Sequence, residues 1–458
     1  MLSCFTAYDI RGKIDTLQKK DLPYFLGEAL ALHENVKSLV IGRDVRPSGK
    51  ALRDAIIQGL SDNAVSVHDI GVCGTEEIYY AVQHHDFDMG LMITGSHNPI
   101  DENGFKLIRK GAIPVSSDTG LFALRDYIEK RISSRFPKKA AMPPSVSSCS
   151  VRNDYVHFLL DFAGFLDKEE NKKRKKLTIF ADAGNGSAGG ILEALSRYLP
   201  FDIIPFRWEP DGSFPHGIPN PLLPEKRAAT SAAVRKTRAD LGIAFDGDCD
   251  RCFFYDGEGT FVEGAYCVGL LASELLRRHP GEKIIHDPRV YWNTQDMVLS
   301  AKGIPLMGKT GHAFMKERMR AENALYGGEM SAHHYFRDFA FCDSGMLPWL
   351  VIAAMLSLTG KPLAEYLFER KKAFPCSGEI NRKVSDTMAL FENVHARYAK
   401  EALHEDFVDG LNLEFSNWRF NVRKSNTEAL VRLNVESRGD EALLKEKTDE
   451  LLRLIDEG

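Results

Sequence analysis

Three aspartates alternate in the segment FDGDCDR, which runs from Phe245 to Arg251. If the segment is extended, Asp246, Asp248 and Asp250 point to one face, because side chains alternate across a strand. Carboxylates that converge within a few ångströms repel one another unless a cation lies between them, and hard oxygen ligands suit Mg²⁺ best. The alternative is a polar turn between two strands, which the apolar runs on both sides disfavour.

An EF-hand is the competing metal loop, and the spacing excludes it. Counted from Asp246, position 6 is Arg251 where glycine is needed, and position 12 is Gly257 where glutamate is needed. The sequence therefore predicts a magnesium site of another kind.

A second segment, RKSNTEALVR from Arg423 to Arg432, is rich in groups that bind anions. An arginine, two hydroxyls, an amide and backbone N–H groups in a short loop suit a phosphate. The alternative is a helix capping box, since Ser425 and Glu428 have S-x-x-E spacing. Residues 431 to 436 alternate between apolar and polar, which is the period of a strand and favours the phosphate loop.

Two more segments carry reactive or polar side chains. GGEMSAHHYF, after a predicted strand at Ala324–Tyr326, contains a carboxylate and a hydroxyl that suit vicinal sugar hydroxyls, although a lone acid or histidine on a loop is usually only solvated. In MITGSHNPID, Ser96 and His97 follow the apolar run Met89–Ile93, and a proline then forces a turn. A nucleophile elbow is excluded, because it needs glycine where Thr94 stands.

A metal loop and a phosphate loop on one chain indicate phosphoryl transfer, in which a serine hydroxyl can carry the phosphate. Ser96 is the candidate for that role. Its alternative role is a helix N-cap.

Length and composition narrow the class of protein. A chain of 458 residues suggests about three domains. The formal net charge of −5, without a basic surplus, gives no reason to expect nucleic acid as a partner. No signal peptide is visible, and the longest apolar stretch, Gly345–Leu358, is too short to span a bilayer. Eight scattered cysteines, including the pair Cys249 and Cys252, favour a cytoplasmic protein without a disulfide framework or a thiolate metal site.

Strand and helix patterns alternate in three passes, which predicts α/β units. The passes begin with strands at Ser38–Ile41, Leu177–Ala181 and Lys283–Asp287, and the polar segment 133–150 is expected to be a linker. The last stretch of roughly 85 residues has consecutive strands beside helices, which predicts a small α+β domain.

Together, TGSHNP with NGFK, DGDCDR, GEMSAHHYF and RKSNTEALVR, in this order, resemble the four signature loops of the α-D-phosphohexomutase family, most closely its bacterial phosphomannomutases. The resemblance extends from AYDIRG near the N-terminus to VRLNVESRGD. It implies a heart-shaped architecture of three similar α/β domains with mixed sheets and a smaller C-terminal α+β domain. The expected divisions are 1–145, 146–255, 256–372 and 373–458, carrying the phosphoserine, metal, sugar and phosphate loops respectively.

The resemblance also implies roles for individual residues. Ser96 is expected to carry the phosphoryl group and, with its phosphate, to complete the metal site of Asp246, Asp248 and Asp250. The residues expected to take part in catalysis are Ser96, His97, Lys106, His312 and Arg11. Those expected to bind substrate are Tyr8, Lys309, Glu329, Ser331, His333, Arg423, Ser425, Asn426 and Thr427.

The implied reaction interconverts mannose 6-phosphate and mannose 1-phosphate through a glucose or mannose 1,6-bisphosphate, with Mg²⁺ as cofactor and GDP-mannose synthesis as destination. The enzyme is expected to be a monomer or homodimer without nucleic-acid or membrane partners. Glucose phosphates are an alternative substrate, and Lys106 and His312 are equal candidates for the acid or base. The rival functions are a metal-dependent sugar phosphatase and a non-catalytic sugar-phosphate-binding protein.

Three positions depart from the family pattern, one of which is Cys249, where glycine is frequent. Gly95 stands where alanine is usual and is expected to loosen the serine loop. Ala429 replaces a proline and is expected to make the phosphate loop less rigid.

Overall fold

The computed structural model describes residues 2–133, 146–384, 386–424 and 430–457. The chain divides into two compact units, of which the first comprises Met1–Phe261 and Asp338–Gly360 and the second Val262–Arg337 and Lys361–Gly458.

The N-terminal part of the first unit is an α/β fold built on a mixed sheet. Its strands are β1 (Ile10–Lys13), β2 (Ser38–Arg43), β3 (Ser66–Val72), β4 (Met89–Ile93), β5 (Glu102–Arg109), β6 (Ile113–Pro114) and β7 (Val146–Ser148), and its helices are α1 (Ile14–Gln18), α2 (Leu22–Leu32), α3 (Ser48–Ser61), α4 (Thr75–His84) and α5 (Leu121–Ser133). The strand order is β1-β5-β4-β2-β3-β7, and β6 pairs with β5. Strands β4, β2, β3 and β7 run parallel, whereas β5 is antiparallel to both β4 and β1.

A second α/β segment follows. Its helices are α6 (Arg152–Phe162), α7 (Lys168–Asn171), α8 (Ala188–Ser196) and α9 (Ala228–Thr237), and its strands are β8 (Thr178–Asp182), β9 (Asp202–Phe206), β10 (Leu241–Phe245), β11 (Cys252–Tyr255) and β12 (Phe261–Val262). Strand β8 lies between β9 and β10 and is parallel to both, and β11 is antiparallel to β10. The turn between β10 and β11 therefore contains the three alternating aspartates.

The third segment contains α10 (Gly264–Arg278), β13 (Lys283–His286), α11 (Trp292–Ser300), β14 (Ile304–Met307), α12 (His312–Glu322), β15 (Tyr326–Gly328), β16 (His334–Phe336), β17 (Cys342–Asp343), α13 (Met346–Thr359) and α14 (Leu363–Ala373). Of these, β17 and α13 belong to the first unit. In the second unit β13 is parallel to β14 and β15, and β15 is antiparallel to β16.

The C-terminal segment is a sheet with helices on it. It comprises β18 (Ile380–Lys383), α15 (Thr387–Tyr398), β19 (His404–Asp406), β20 (Leu411–Glu414), β21 (Trp418–Lys424), β22 (Leu430–Ser437) and α16 (Glu441–Glu457). The sheet order is β18-β22-β21-β20-β19, with every pair antiparallel. Its apolar face packs against α15 and α16 through residues such as Leu390 and Leu451.

The predicted elements mostly occur within one or two residues of their expected bounds. The prediction for the linker at 133–150 was partly wrong, because Val146–Ser148 forms a strand that pairs with β3. The strand predicted at Ala324–Tyr326 lies instead at Tyr326–Gly328, where its backbone pairs with β13. The apolar stretch at 345–358 forms the buried helix α13, and within the described ranges no single helix is long and apolar enough to cross a membrane.

A buried acid links three elements of the first unit. Glu76 lies in the first turn of α4 and is fully buried. Its carboxylate accepts a hydrogen bond from the hydroxyl of Ser344, just before α13, and the thiol of Cys249 lies 3.6 Å from its Oε1. Burial raises the pKa of Glu76 to about 8, although the hydrogen bond from Ser344 acts to lower it. The folded chain therefore holds this carboxyl protonated at pH values where the unfolded chain ionises it.

We expect this carboxyl to make the first unit less stable as pH rises. Its pKa is about 8 when folded and 4.5 ordinarily, so the folded state binds more protons between these values. The free energy of unfolding should then fall by up to about 1.4 kcal/mol per pH unit across that window. The variant Glu76→Gln should lose this slope in urea unfolding followed with EDTA present.

The matched control is Glu225→Gln, which changes an exposed acid of the same unit and should keep the wild-type slope. Equal slopes in the wild type and Glu76→Gln would contradict the assignment of the neutral carboxyl to this position.

Candidate active site

The candidate nucleophile lies in a strained turn directly after a buried strand. All five residues of β4 are buried, and Ser96 follows with a φ of 48° in the left-handed region that few non-glycine residues adopt. The backbone N–H of Ser96 donates to the hydroxyl oxygen of Thr94 at 2.7 Å, and that hydroxyl donates to Asp44 Oδ2 at 2.8 Å. Local hydrogen bonds therefore hold the turn in a conformation that the serine alone would disfavour.

Arg46 is the principal support of this loop. Its guanidinium donates to the backbone carbonyl oxygens of four residues, namely Ser96 at 3.0 Å, Asn98 at 2.6 Å, Pro99 at 2.6 Å and Glu102 at 2.9 Å. A Cβ on Gly95 would lie only 2.4 Å from Arg46 Cζ. The expectation that Gly95 loosens the loop was therefore wrong, because the missing side chain makes room for the arginine that fixes it.

The serine hydroxyl meets the aspartate turn between β10 and β11. Ser96 Oγ donates to Asp246 Oδ2 at 3.0 Å and lies 3.0 Å from His97 Nδ1. Arg251 donates to the same Asp246 oxygen at 2.9 Å, and its Nη2 lies 2.6 Å from His97 Nδ1. Gly247 permits this approach, since a Cβ there would be 2.4 Å from the carbonyl oxygen of Ser96.

The three aspartates form a cluster that fits a cation. They are 0%, 0% and 3% exposed, and candidate ligand oxygens from Asp246, Asp248 and Asp250 lie within 4.8 Å of one another. The Oδ1 atom of each is buried and has no hydrogen-bond partner among the described residues. Buried carboxylate oxygens are normally satisfied, so three orphaned oxygens in one cluster match the ligand set of a hard divalent cation.

Lys106 and Thr75 donate hydrogen bonds to the aspartate cluster. Lys106 Nζ donates to Asp248 Oδ2 at 2.8 Å and to Asp250 Oδ2 at 2.6 Å, and the Thr75 hydroxyl donates to Asp248 Oδ2 at 2.7 Å. Burial raises the pKa of Asp246 to about 6 despite the nearby guanidinium of Arg251. Burial also acts to raise the pKa of Asp248, but Lys106 and Arg11 together lower it.

Two other predicted residues of the first unit, Arg11 and His97, lie at the serine loop. Arg11 donates through Nε to Asp9 at 2.7 Å and through Nη1 to the carbonyl oxygen of Thr94 at 2.6 Å. His97 is exposed, and Tyr8 is half-buried in the turn before β1. The first unit therefore brings together all the catalytic and metal residues predicted within it.

In the second unit, Glu329 joins two of the predicted loops. It is 2% exposed, and it accepts hydrogen bonds from the Gly311 N–H at 2.9 Å and the Tyr335 hydroxyl at 2.5 Å. Ser331 and His333, from the same loop, are half-buried. The predicted sugar-binding carboxylate is therefore held in place from both sides.

The neighbouring loop presents His312 and Lys309. His312 is the first residue of α12 and is half-buried, whereas Lys309 is exposed with its Nζ 4.4 Å from the ring centre of Phe314. His334 has a structural role instead, because its Nδ1 lies 2.7 Å from the Tyr326 hydroxyl and burial lowers its pKa to about 3.

The predicted phosphate loop is seen only in part. Arg423 is buried at the end of β21, and its Nη2 lies 3.3 Å from Glu379 Oε2. Ser425, Asn426 and Thr427 lie outside the described residues.

Several residues of the site were not singled out by the sequence analysis. They are Asp44, Arg46, Thr75, Arg251 and Glu379. Arg251 could have been recognised from the sequence, since it is the last residue of the aspartate motif. The others lie far along the chain from the loops they support, and no short motif identifies them.

Comparison with protein families covers nearly the whole chain. Four models of the phosphoglucomutase/phosphomannomutase family match, those of alpha/beta/alpha domains I, II and III and of the C-terminal domain. The matched residues are 3–134, 153–259, 263–374 and 379–454 respectively.

Individual proteins agree with this result. The chain is 50% identical over 454 residues to "Phosphohexose mutases" of Xanthomonas campestris pv. campestris and 49% identical over 460 residues to a phosphomannomutase of Salmonella montevideo, with 99% of each chain covered in both cases. A crystal structure of a phosphoglucomutase/phosphomannomutase family protein from Burkholderia thailandensis superimposes with a TM-score of 0.85 at 29% identity, covering 99% of this chain and 97% of that one.

These matches confirm the predicted fold class of three α/β domains with mixed sheets and a smaller C-terminal domain. The chain therefore belongs to the α-D-phosphohexomutase family, and it matches the models of all four phosphoglucomutase/phosphomannomutase domains.

Proposed function

We propose that this chain is a phosphomannomutase that interconverts mannose 6-phosphate and mannose 1-phosphate. The observation that carries the proposal is the position of the Ser96 hydroxyl, which lies 3.0 Å from Asp246 beside three orphaned carboxylate oxygens. The full-length similarity to phosphomannomutases supports it.

Catalysis would proceed by two phosphoryl transfers. A free hydroxyl of the sugar monophosphate attacks the phosphorus of phospho-Ser96, so that a new P–O bond forms and the bond to Ser96 Oγ breaks. The hydroxyl proton passes to a base, and the serine oxygen regains a proton. The resulting hexose 1,6-bisphosphate turns end for end and returns its other phosphoryl group to Ser96 by the same chemistry in reverse.

Asp246, Asp248 and Asp250 would hold Mg²⁺ together with the phosphate on Ser96. When bound, the ion offsets the charge of the phosphoserine and of the group in transfer. Arg251 and Lys106 add positive charge at the same place, because both already pair with the aspartates.

The second unit would supply substrate recognition. Glu329 and Ser331 are proposed to bind neighbouring sugar hydroxyls, and Arg423 with residues 425–427 the phosphate that is not in transfer. Lys106 and His312 are the acid–base candidates, one in each unit, with Arg11 and His97 beside the serine. Tyr8, Lys309 and His333 complete the proposed substrate contacts.

A second candidate is a dual-specificity hexose phosphomutase. The Xanthomonas relative is named for phosphohexose mutases in general. Mannose and glucose differ in the direction of one hydroxyl, and a loop that binds neighbouring hydroxyls discriminates weakly between them. We further propose a cytoplasmic monomer or homodimer that supplies GDP-mannose synthesis, and we retain the four predicted domain divisions.

Phosphorus NMR distinguishes these functions. With Mg²⁺, a trace of hexose 1,6-bisphosphate, mannose 1-phosphate and glucose 1-phosphate together, we expect phosphate to move to C6 without release of inorganic phosphate. The ratio of the two rates identifies the preferred sugar. Accumulation of inorganic phosphate would instead support a phosphatase, in which water takes the group from Ser96.

The nucleophile assignment predicts the effect of Ser96→Ala. Without a hydroxyl to carry the phosphoryl group, turnover should fall by more than about a thousandfold, the scale seen when a covalent nucleophile is removed. The measurement is the initial rate with mannose 1-phosphate, accompanied by circular dichroism to verify folding. Ser66→Ala, which alters an exposed serine of the same unit, should retain full activity. A folded Ser96→Ala variant with normal turnover would rule out the mechanism.

The metal assignment predicts stabilisation by Mg²⁺. An ion that binds only the folded state should raise the free energy of unfolding by about 2.7 kcal/mol at a hundredfold excess over Kd. We expect the melting temperature of the wild type to rise with Mg²⁺ concentration and that of Asp248→Asn to remain constant. Asp202→Asn, on the exposed end of β9, should respond like the wild type. An equal rise in Asp248→Asn would place the ion elsewhere.

A further inference from the structure

Three arginines of the second unit contact the carboxylate of Glu379. Arg289 also pairs with Asp287 Oδ2 at 2.8 Å, and Arg423 Nη1 lies 3.9 Å from Asp409 Oδ2. Glu379 Oε2 lies 3.3 Å from Arg289 Nη1 and 3.3 Å from Arg423 Nη2, and its Oε1 lies 3.2 Å from Arg432 Nη1. We call Arg289, Arg423 and Arg432 the arginine cluster. Its members come from two parts of the chain that are more than a hundred residues apart along the sequence.

The C-terminal sheet itself brings two of these charges together. Arg423 on β21 is directly opposite Arg432 on β22. Like charges in directly opposed positions destabilise an antiparallel pair. Glu379 comes immediately before β18, which pairs with β22 so that Asn381 faces Arg432. The register of β18, β22 and β21 therefore places Glu379 beside the two arginines, where its negative charge offsets their repulsion.

The third arginine is fixed by its backbone. Arg419 donates to the carbonyl oxygens of Arg289 at 2.8 Å and Pro288 at 2.9 Å. Arg419 is fully buried and pairs with Glu436 at 2.7 Å, also fully buried. Because this pair anchors the 288–289 backbone, the arginine cluster cannot relieve its repulsion by moving that segment away.

Glu379 does not satisfy the whole cluster. The Nε atom of each of the three arginines is buried and has no hydrogen-bond partner among the described residues. The contacts of 3.2 to 3.3 Å are longer than the roughly 2.7–2.9 Å of strong charge-assisted bonds. A phosphate group offers more acceptor oxygens than a carboxylate, so it suits these donors better.

Glu379 nevertheless stays charged. Burial acts to raise its pKa, but the guanidinium groups of Arg289, Arg432 and Arg423 lower it below the ordinary value. A permanent negative charge thus lies against the arginines that a substrate phosphate would contact.

We propose that Glu379 is a positioning residue that serves as the resident counter-ion of the arginine cluster and weakens its hold on the phosphate that is not in transfer. This inference rests on the proposed function, in which Arg423 binds that phosphate. A bisphosphate that turns end for end must leave the phosphate site in every cycle, so excessive affinity there slows release and turnover.

The test is Glu379→Gln, compared with the wild type and with Glu379→Asp. Calorimetric titration with inorganic phosphate in EDTA should give a Kd about tenfold lower in Glu379→Gln, an effect of about 1.4 kcal/mol. With mannose 1-phosphate and Mg²⁺, both KM and kcat should fall, since substrate binds tighter and the intermediate leaves more slowly. Glu379→Asp keeps the charge and should resemble the wild type.

Two further variants localise the effect. Glu282→Gln removes an acid paired with Arg337 elsewhere in the second unit and should leave the phosphate Kd unchanged. Arg423→Gln should weaken phosphate binding and reduce the effect of adding Glu379→Gln, because the two side chains are in contact.

Weaker or unchanged phosphate binding in Glu379→Gln would overturn the proposal and leave Glu379 a structural partner of the arginines. Phosphate binding that survives Arg423→Gln unchanged would also overturn it. The titration needs no turnover, so it tests the role of Glu379 separately from the proposed mutase function. Tighter binding in a protein without mutase activity would reject the proposed function alone.

Discussion

Repulsion among three buried carboxylates is the constraint on which the first unit depends. Asp246, Asp248 and Asp250 cannot share one turn unless positive charge or donated hydrogen bonds offset their own charges. The fold supplies Lys106 from β5 to two of them and Arg251 to the third. One oxygen of each aspartate is still left without a hydrogen-bond partner in the described structure, and this deficit fits a cation site better than a structural ion-pair network.

The serine loop is also held by a positively charged side chain, which here binds backbone carbonyl oxygens in place of carboxylates. Ser96 adopts a left-handed backbone conformation, which costs of order 1–3 kcal/mol. Such a conformation persists only where the surrounding contacts hold the backbone in place. Arg46 gathers four carbonyl oxygens of the loop, and the glycines at 95 and 247 let the arginine and the aspartate turn approach closely. The result is a hydroxyl placed beside Asp246, where a phosphate could be transferred.

The second unit presents the opposite electrostatic arrangement. Here three arginines converge on the carboxylate of Glu379, and Asp287 and Asp409 pair separately with Arg289 and Arg423. Buried Arg419 and Glu436 fix the backbone that carries one of them. Both units therefore contain buried polar atoms without hydrogen-bond partners among the described residues, acceptors that a cation would satisfy in the first and donors that an anion would satisfy in the second.

The sequence by itself determined the chemistry-bearing loops, the alternation of strands and helices, and the family. These are local properties, because periodicity and short motifs can be recognised from a few neighbouring residues. The prediction of a polar linker failed at Val146–Ser148, where pairing with β3 overrides composition. The prediction that Gly95 loosens the serine loop also failed because of a distant contact, since the neighbouring Arg46 is about fifty residues away along the chain. Glu379 and Thr75 carry no motif, and their roles arise from strand register and from contacts between distant segments. Only the tertiary structure could decide those roles, because a charge or a hydroxyl acquires a function from what folding places against it.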